Sequence, residues 1–165
     1  MVENIIEMKP LEMESKEMAG MFENCYFILG VVNNIFLISI FLTVKFGGTS
    51  KLKVLGLAYL SLAAPSTYGI FIARQLHMPA GYSIFLGIFT AFLLLEGLYE
   101  YVLKVPFRNN WKLLVPYLML YWSMNYGFVV MSWENSVGQG RIMLGLFIVQ
   151  LIANILSHTK KKRCK

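Results

Sequence analysis

The chain has 165 residues, of which 57% are hydrophobic and only 15% charged, and its mean hydropathy is +0.59. Soluble domains carry about a quarter charged residues, so this composition calls for a bilayer as solvent, and the length leaves room for one compact bundle and no second domain. The net charge of +6 does not point to nucleic acid, because the basic residues sit at the ends of apolar runs and form no patch interleaved with polar contact residues.

In chain order, residues 1–20 form an acidic N-terminal leader, with Glu3, Glu7, Glu12, Glu14 and Glu17 against Lys9 and Lys16. A secretory signal would open with a basic segment followed by an apolar one, the opposite of this arrangement. Residues 21–157 read as a transmembrane bundle. About 20 mainly apolar residues cross roughly 30 Å of hydrocarbon, and five stretches meet or approach that length: 21–44, 52–73, 81–103, 113–133 and 140–157. The connections are short and carry breakers, with Gly47 and Gly48 in the first, Pro79 in the second, Pro106 in the third and Gly138 in the fourth. Pro65, inside the second stretch, predicts a kink that frees a carbonyl. Residues 158–165 are a basic tail.

Charge sets the expected orientation. Lys45, Lys51 and Lys53 flank the first connection, and Lys104, Arg108 and Lys112 the third. Lys160, Lys161, Lys162, Arg163 and Lys165 fill the tail, while the second and fourth connections are poor in cations. Short Lys- and Arg-rich loops stay in the cytoplasm, so the pattern predicts an N-terminus outside and a cytoplasmic tail acting as topology and lipid-headgroup anchor. Trp111 and Trp133 bracket the fourth stretch at headgroup level. Cys25 and Cys164 then lie on opposite sides and cannot pair, and neither has metal-ligand spacing around it. A plasma membrane is the default location. The terminal lysines leave an internal membrane open.

Shifting the sequence by 58 residues aligns 55–98 with 113–156 without a gap and with twelve identities in 44 positions. Six are leucine pairs that composition supplies. The others match Tyr59 with Tyr117, Tyr68 with Tyr126, Gly69 with Gly127, Ile84 with Ile142, Gly87 with Gly145 and Phe89 with Phe147. The expected fold is therefore an all-α membrane bundle with one leading helix and two parallel repeated hairpins, about 52–103 and 110–157. Parallel repeats of this kind occur in some transporters, with the site near their interface. The four matched glycines are expected to serve close helix packing.

Glu96 stands out because Leu93, Leu94 and Leu95 precede it and Lys104 lies about 12 Å further along a helix. An acid at that depth faces the bundle interior, a partner or a wet cavity, and is a candidate proton carrier. The repeat aligns Asn154 with Glu96 and Asn125 with Thr67, and Gln150, Asn154 and His158 form one stripe at helical spacing. With Asn33 of the first helix, the candidate intramembrane polar site is Glu96, Asn154, Gln150, Asn33, Asn125 and Thr67. Glu100 and Lys104, four residues apart, suggest an interfacial ion pair. Hydrogen bonding that merely glues helices together is the competing explanation for the polar set.

The chain lacks Asp altogether and has no phosphate-binding glycine loop, HExxH, Cys-x-x-Cys or hydrolase serine motif. No cofactor or metal is therefore expected, and catalysis is disfavoured. The preferred reading is a small transporter or channel-like protein moving a solute or ion past Glu96. The alternatives are a structural or accessory subunit of a membrane complex and a lipid-active enzyme using Glu96 and Glu100. The expected partners are the bilayer and a second copy or larger membrane complex.

Overall fold

A computed structural model describes residues 3–46, 49–104 and 110–158, and the chain there is helical without strands. Six α-helices follow in order: α1 (Glu3–Phe46), α2 (Thr49–Leu60), α3 (Ala63–Gln75), α4 (Ala80–Gly97), α5 (Trp111–Asn135) and α6 (Val137–His158). They supply five stretches long and apolar enough to cross a membrane, Met13–Phe46, Lys51–Gln75, Ala80–Val102, Trp111–Asn135 and Val137–Ser157. These five stretches fit a multi-pass membrane protein of the helical class. Gly47, Gly48, residues 105–109 and the tail lysines and arginine at 160–163 and 165 lie outside the described residues.

The acidic leader is continuous with the first span, since α1 begins at Glu3 and runs unbroken to Phe46. The second span is divided. Proline at 65 has no N–H to give the Ser61 carbonyl, and its ring would collide with it. The break consequently falls one turn before the proline, at Ser61–Leu62, where Ala64 N–H takes the Ser61 carbonyl at 3.2 Å and Leu62 N–H takes that of Tyr59 at 3.1 Å. α3 ends at Gln75, His77 turns the chain at a φ of 51°, and Pro79 precedes α4. Asn110 caps α5 by accepting from Lys112 N–H at 3.1 Å, and Ser136 alone separates α5 from α6.

α4 runs between α3 and α5, α5 packs on α6, and α6 lies along α1. α2 leans on α1 and reaches α4, whereas α1 and α3 touch only sparingly. Lipid tails are as apolar as leucine, so close packing and interhelical polar contacts hold such a bundle together. Aromatic rings supply much of the packing: Phe89 meets Phe128 edge-on at 5.2 Å, and Tyr26 meets Phe128 at 5.2 Å and Tyr82 at 4.9 Å. Ile28, Ile35, Phe71, Ile148, Ile152 and Ile155 face outward, toward the expected hydrocarbon.

The matched glycines divide in two. A Cβ at Gly69 would press on Leu86 at 3.1 Å, and one at Gly127 would collide with the Phe85 ring, so both serve close helix contacts. Gly87 and Gly145 meet nothing within 4 Å, which corrects the expectation that all four serve packing. Their helix faces look out of the bundle, where nothing approaches closely enough to require a small residue.

Candidate polar site within the bundle

Glu96 is the penultimate residue of α4 and is 8% exposed. The Tyr117 hydroxyl of α5 donates to its Oε2 at 3.2 Å. Immediately after Gly97 the backbone widens into a π-helical turn, Leu98–Val102, and Lys104 lies beyond it at a φ of 50°. The α-helical register that would bring Glu100 and Lys104 together as an ion pair therefore ends before both residues. The extra residue of a π turn shifts the helix face, and it leaves Glu100 exposed at the rim of the site.

Tyr59 approaches from α2. It is 1% exposed, and its hydroxyl donates to Asn33 Oδ1 of α1 at 2.7 Å. Tyr59 lies within electrostatic range of Glu96, Tyr117 and Tyr121. Gln150 Nε2 donates to the Tyr121 hydroxyl at 2.9 Å, and the Asn154 side chain lies close to the same hydroxyl. Asn125 Nδ2 donates to the Tyr121 carbonyl one turn back at 2.8 Å. Three tyrosines on α2 and α5 are thus the hubs around which the amide and carboxyl side chains gather.

Glu96, Asn154, Gln150 and Asn33 join this arrangement, while Asn125 is buried beside it but bonds only to its own helix. Thr67 stays outside it, because it is exposed and its hydroxyl returns to the Ala63 carbonyl of its own helix at 2.7 Å. Its neighbour Ser66 is the buried one, reaching the Leu86 carbonyl at 3.1 Å and Thr90 Oγ1 at 2.9 Å. The tyrosine hubs were hidden in the sequence by their apolar rings. The 58-residue match of Tyr59 with Tyr117 was the one signal that marked two of the three.

A small pocket of about 40 Å³ opens beside Glu96, bounded by Tyr59, Glu100 and Tyr101 together with Ile40 and Leu52. A water needs about 10–15 Å³ of such space, so the pocket admits about three waters or one small ion. The Tyr101 hydroxyl donates to the Lys53 carbonyl at 3.1 Å and pins α2 against the π turn at its edge. Toward the opposite end the rings of Phe92, Phe89, Phe128, Tyr26 and Tyr82 fill the interior. The site is approached from one end of the bundle and closed from the other.

Several buried polar atoms have no hydrogen-bond partner: Asn33 Nδ2, Asn34 Oδ1, Asn125 Oδ1, Gln150 Oε1, Ser132 Oγ and the Tyr26 hydroxyl. Such atoms are few in a folded protein and call for an explanation. Here they belong to α1, α5 and α6, the helices that carry the amide side chains of the site. Among the described residues no three of His, Cys, Asp and Glu converge as a metal site would require. The chain matches no protein-family model, no curated protein and no solved structure.

Proposed function

We propose that the protein is a small membrane carrier that moves a proton or a comparably small cation past Glu96. The observation that supports this reading is the placement of one carboxyl group. It is buried between Leu93 and the π turn, receives a tyrosine hydroxyl, and forms part of the wall of a pocket with room for water or an ion. An ionisable side chain inside a membrane marks an ion or proton pathway more often than a surface one does. The unpartnered amide and hydroxyl atoms of α1, α5 and α6 extend that polar interior beyond Glu96. The pocket volume favours a proton or ion over a larger solute.

In this reading the N-terminus is outside, the pocket beside Glu96 faces the cytoplasm, and the membrane is the plasma membrane. The hairpins 52–103 and 110–157 are parallel repeats. Their matched positions agree in part, with Tyr59 and Tyr117 both buried and Gly87 and Gly145 both open. The basic tail serves as anchor.

The test is proton uptake by sealed liposomes that contain the protein and a trapped pH dye, driven by an imposed potential. Wild type is expected to acidify or alkalinise the lumen faster than protein-free liposomes, and Glu96→Gln to abolish the difference. A wild type indistinguishable from empty liposomes, for protons and for small cations alike, removes the carrier reading. Wild-type flux retained in full by Glu96→Gln removes Glu96 from the path.

A second reading has its own support. Asn33–Tyr59, Ser66–Thr90 and Gln150–Tyr121 each join two different helices, as expected of an accessory subunit whose polar residues glue the bundle. Absence of flux together with a thermal stability lowered by Glu96→Gln favours it.

A further inference from the structure

The break at Ser61–Leu62 sends α2 toward α1 and α3 toward α4, and a groove of about 650 Å³ opens between α1 and α3. Cys25, Ile28 and Val32 line one side and Pro65, Ile72 and Leu76 the other. On α1 the groove runs from Met18 to Val32, about 21 Å at helical rise. It is continuous with the outward, apolar surface of the bundle, since Ile28 is 57% exposed and Tyr68 67%.

The groove lies open along one side to the outward face of the bundle, where the expected hydrocarbon reaches it, and its length of about 21 Å is somewhat more than the roughly 15 Å of one bilayer leaflet. The polarity follows the same pattern. The wall is almost wholly apolar, Gln75 lies at the outer end, and the exposed Arg74 and Glu17 are the chain neighbours of the lining residues Gln75 and Met18 at that end. A cation and an anion at the mouth of an apolar slot match a zwitterionic headgroup above an acyl chain.

We propose that this groove binds one acyl chain of a zwitterionic bilayer phospholipid, in the leaflet on the N-terminal side of α1. The site is separate from Glu96 and independent of whether the protein carries ions. The bound chain fills the space between α1 and α3, which touch only sparingly.

The full chain is reconstituted in phosphatidylcholine vesicles carrying a trace of phosphatidylcholine with a diazirine on one acyl chain, irradiated, and mapped by peptide mass spectrometry. Adducts are expected to concentrate on 18–32 and 62–76 over the outward face of α6 at Ile148, Ile152 and Ile155. Ile28→Trp, which fills the slot, is expected to lose the groove adducts and keep those on α6. Labelling spread evenly over both surfaces overturns the proposal, because it describes ordinary annular lipid. Groove adducts that persist in Ile28→Trp overturn it too, as does a cross-link between two copies through the groove. The wild-type map decides the question even where Ile28→Trp does not fold.

Discussion

Tyr59→Phe isolates one hydrogen bond with little change of shape. The hydroxyl it removes donates to Asn33 Oδ1 at 2.7 Å, and the two residues are 1% and 0% exposed. Asn33 Nδ2 already lacks a partner, so the substitution leaves the whole amide unpaired inside the bundle. Leaving a buried polar group unsatisfied costs about 1–3 kcal/mol in soluble proteins. Side-chain hydrogen bonds in membranes average about 0.6 and reach about 1.7 kcal/mol. The membrane figures are the relevant reference, and full burial puts this bond near their upper end, so Tyr59→Phe is expected to destabilise by about 1.5 kcal/mol. The assay is reversible unfolding in mixed micelles with increasing denaturing detergent, followed by circular dichroism. Asn33→Leu and the double variant complete the cycle. Removing both partners leaves no orphan, so the double variant is expected to be more stable than the sum of the single losses by about 1.5 kcal/mol. Additivity within about 0.5 kcal/mol refutes the pairing.

Other positions offer sharper contrasts. Gly127→Ala is expected to lower stability, because the new methyl meets the near end of the Phe85 side chain and α4 and α5 must separate. Gly87→Ala and Gly145→Ala, measured in the same assay, are expected to be neutral or to stabilise by up to about 1 kcal/mol through helix propensity. Ser66→Ala is expected to lose about 1 kcal/mol and Thr67→Val almost nothing, since only the former breaks a bond between α3 and α4. For orientation, a cysteine at Ser136 in a background of Cys25→Ser and Cys164→Ser is expected to react with an impermeant maleimide added outside intact cells. A cysteine at Lys104 is expected to react only after permeabilisation, and the reverse pattern refutes the proposed topology.

The spans were legible because the bilayer imposes a length and a polarity that few other constraints resemble, and all five fall within a few residues of where hydropathy puts them outside the acidic leader. Facing was much less legible. A helix in lipid is apolar all round, so periodicity does not set its rotation, and Ser66 and Thr67, about 100° apart, could not be ranked. The structure buries the first and exposes the second. The partners of the polar residues were hidden for a related reason. Tyrosine counts among the hydrophobic residues in the composition, yet Tyr59, Tyr117 and Tyr121 supply the hydroxyls that Asn33, Glu96 and Gln150 meet. The Glu100–Lys104 spacing assumes a continuing α-helix, and the π turn at Leu98–Val102 ends that register.

The break in the second span has effects at both ends of the bundle. An unbroken helix from Lys51 to Gln75 would follow one line and could not lean on α1 at one end and α4 at the other. Divided at Ser61–Leu62, it does both. The α2 half brings Tyr59 to Asn33 and the Lys53 carbonyl to Tyr101, which walls the pocket beside Glu96. The α3 half brings Ser66 to Thr90 and Gly69 to Leu86, which leaves α1 uncovered and opens the groove. Pocket and groove thus share one cause, the missing donor at Pro65. Pro65 also lines the groove itself, but a residue there that restores the donor to Ser61 reaches the pocket as well, whereas substitutions elsewhere in either site act on that site alone. Pro65→Ala is therefore expected to change the groove labelling and the Tyr59–Asn33 coupling together, and a change in one without the other refutes the common origin.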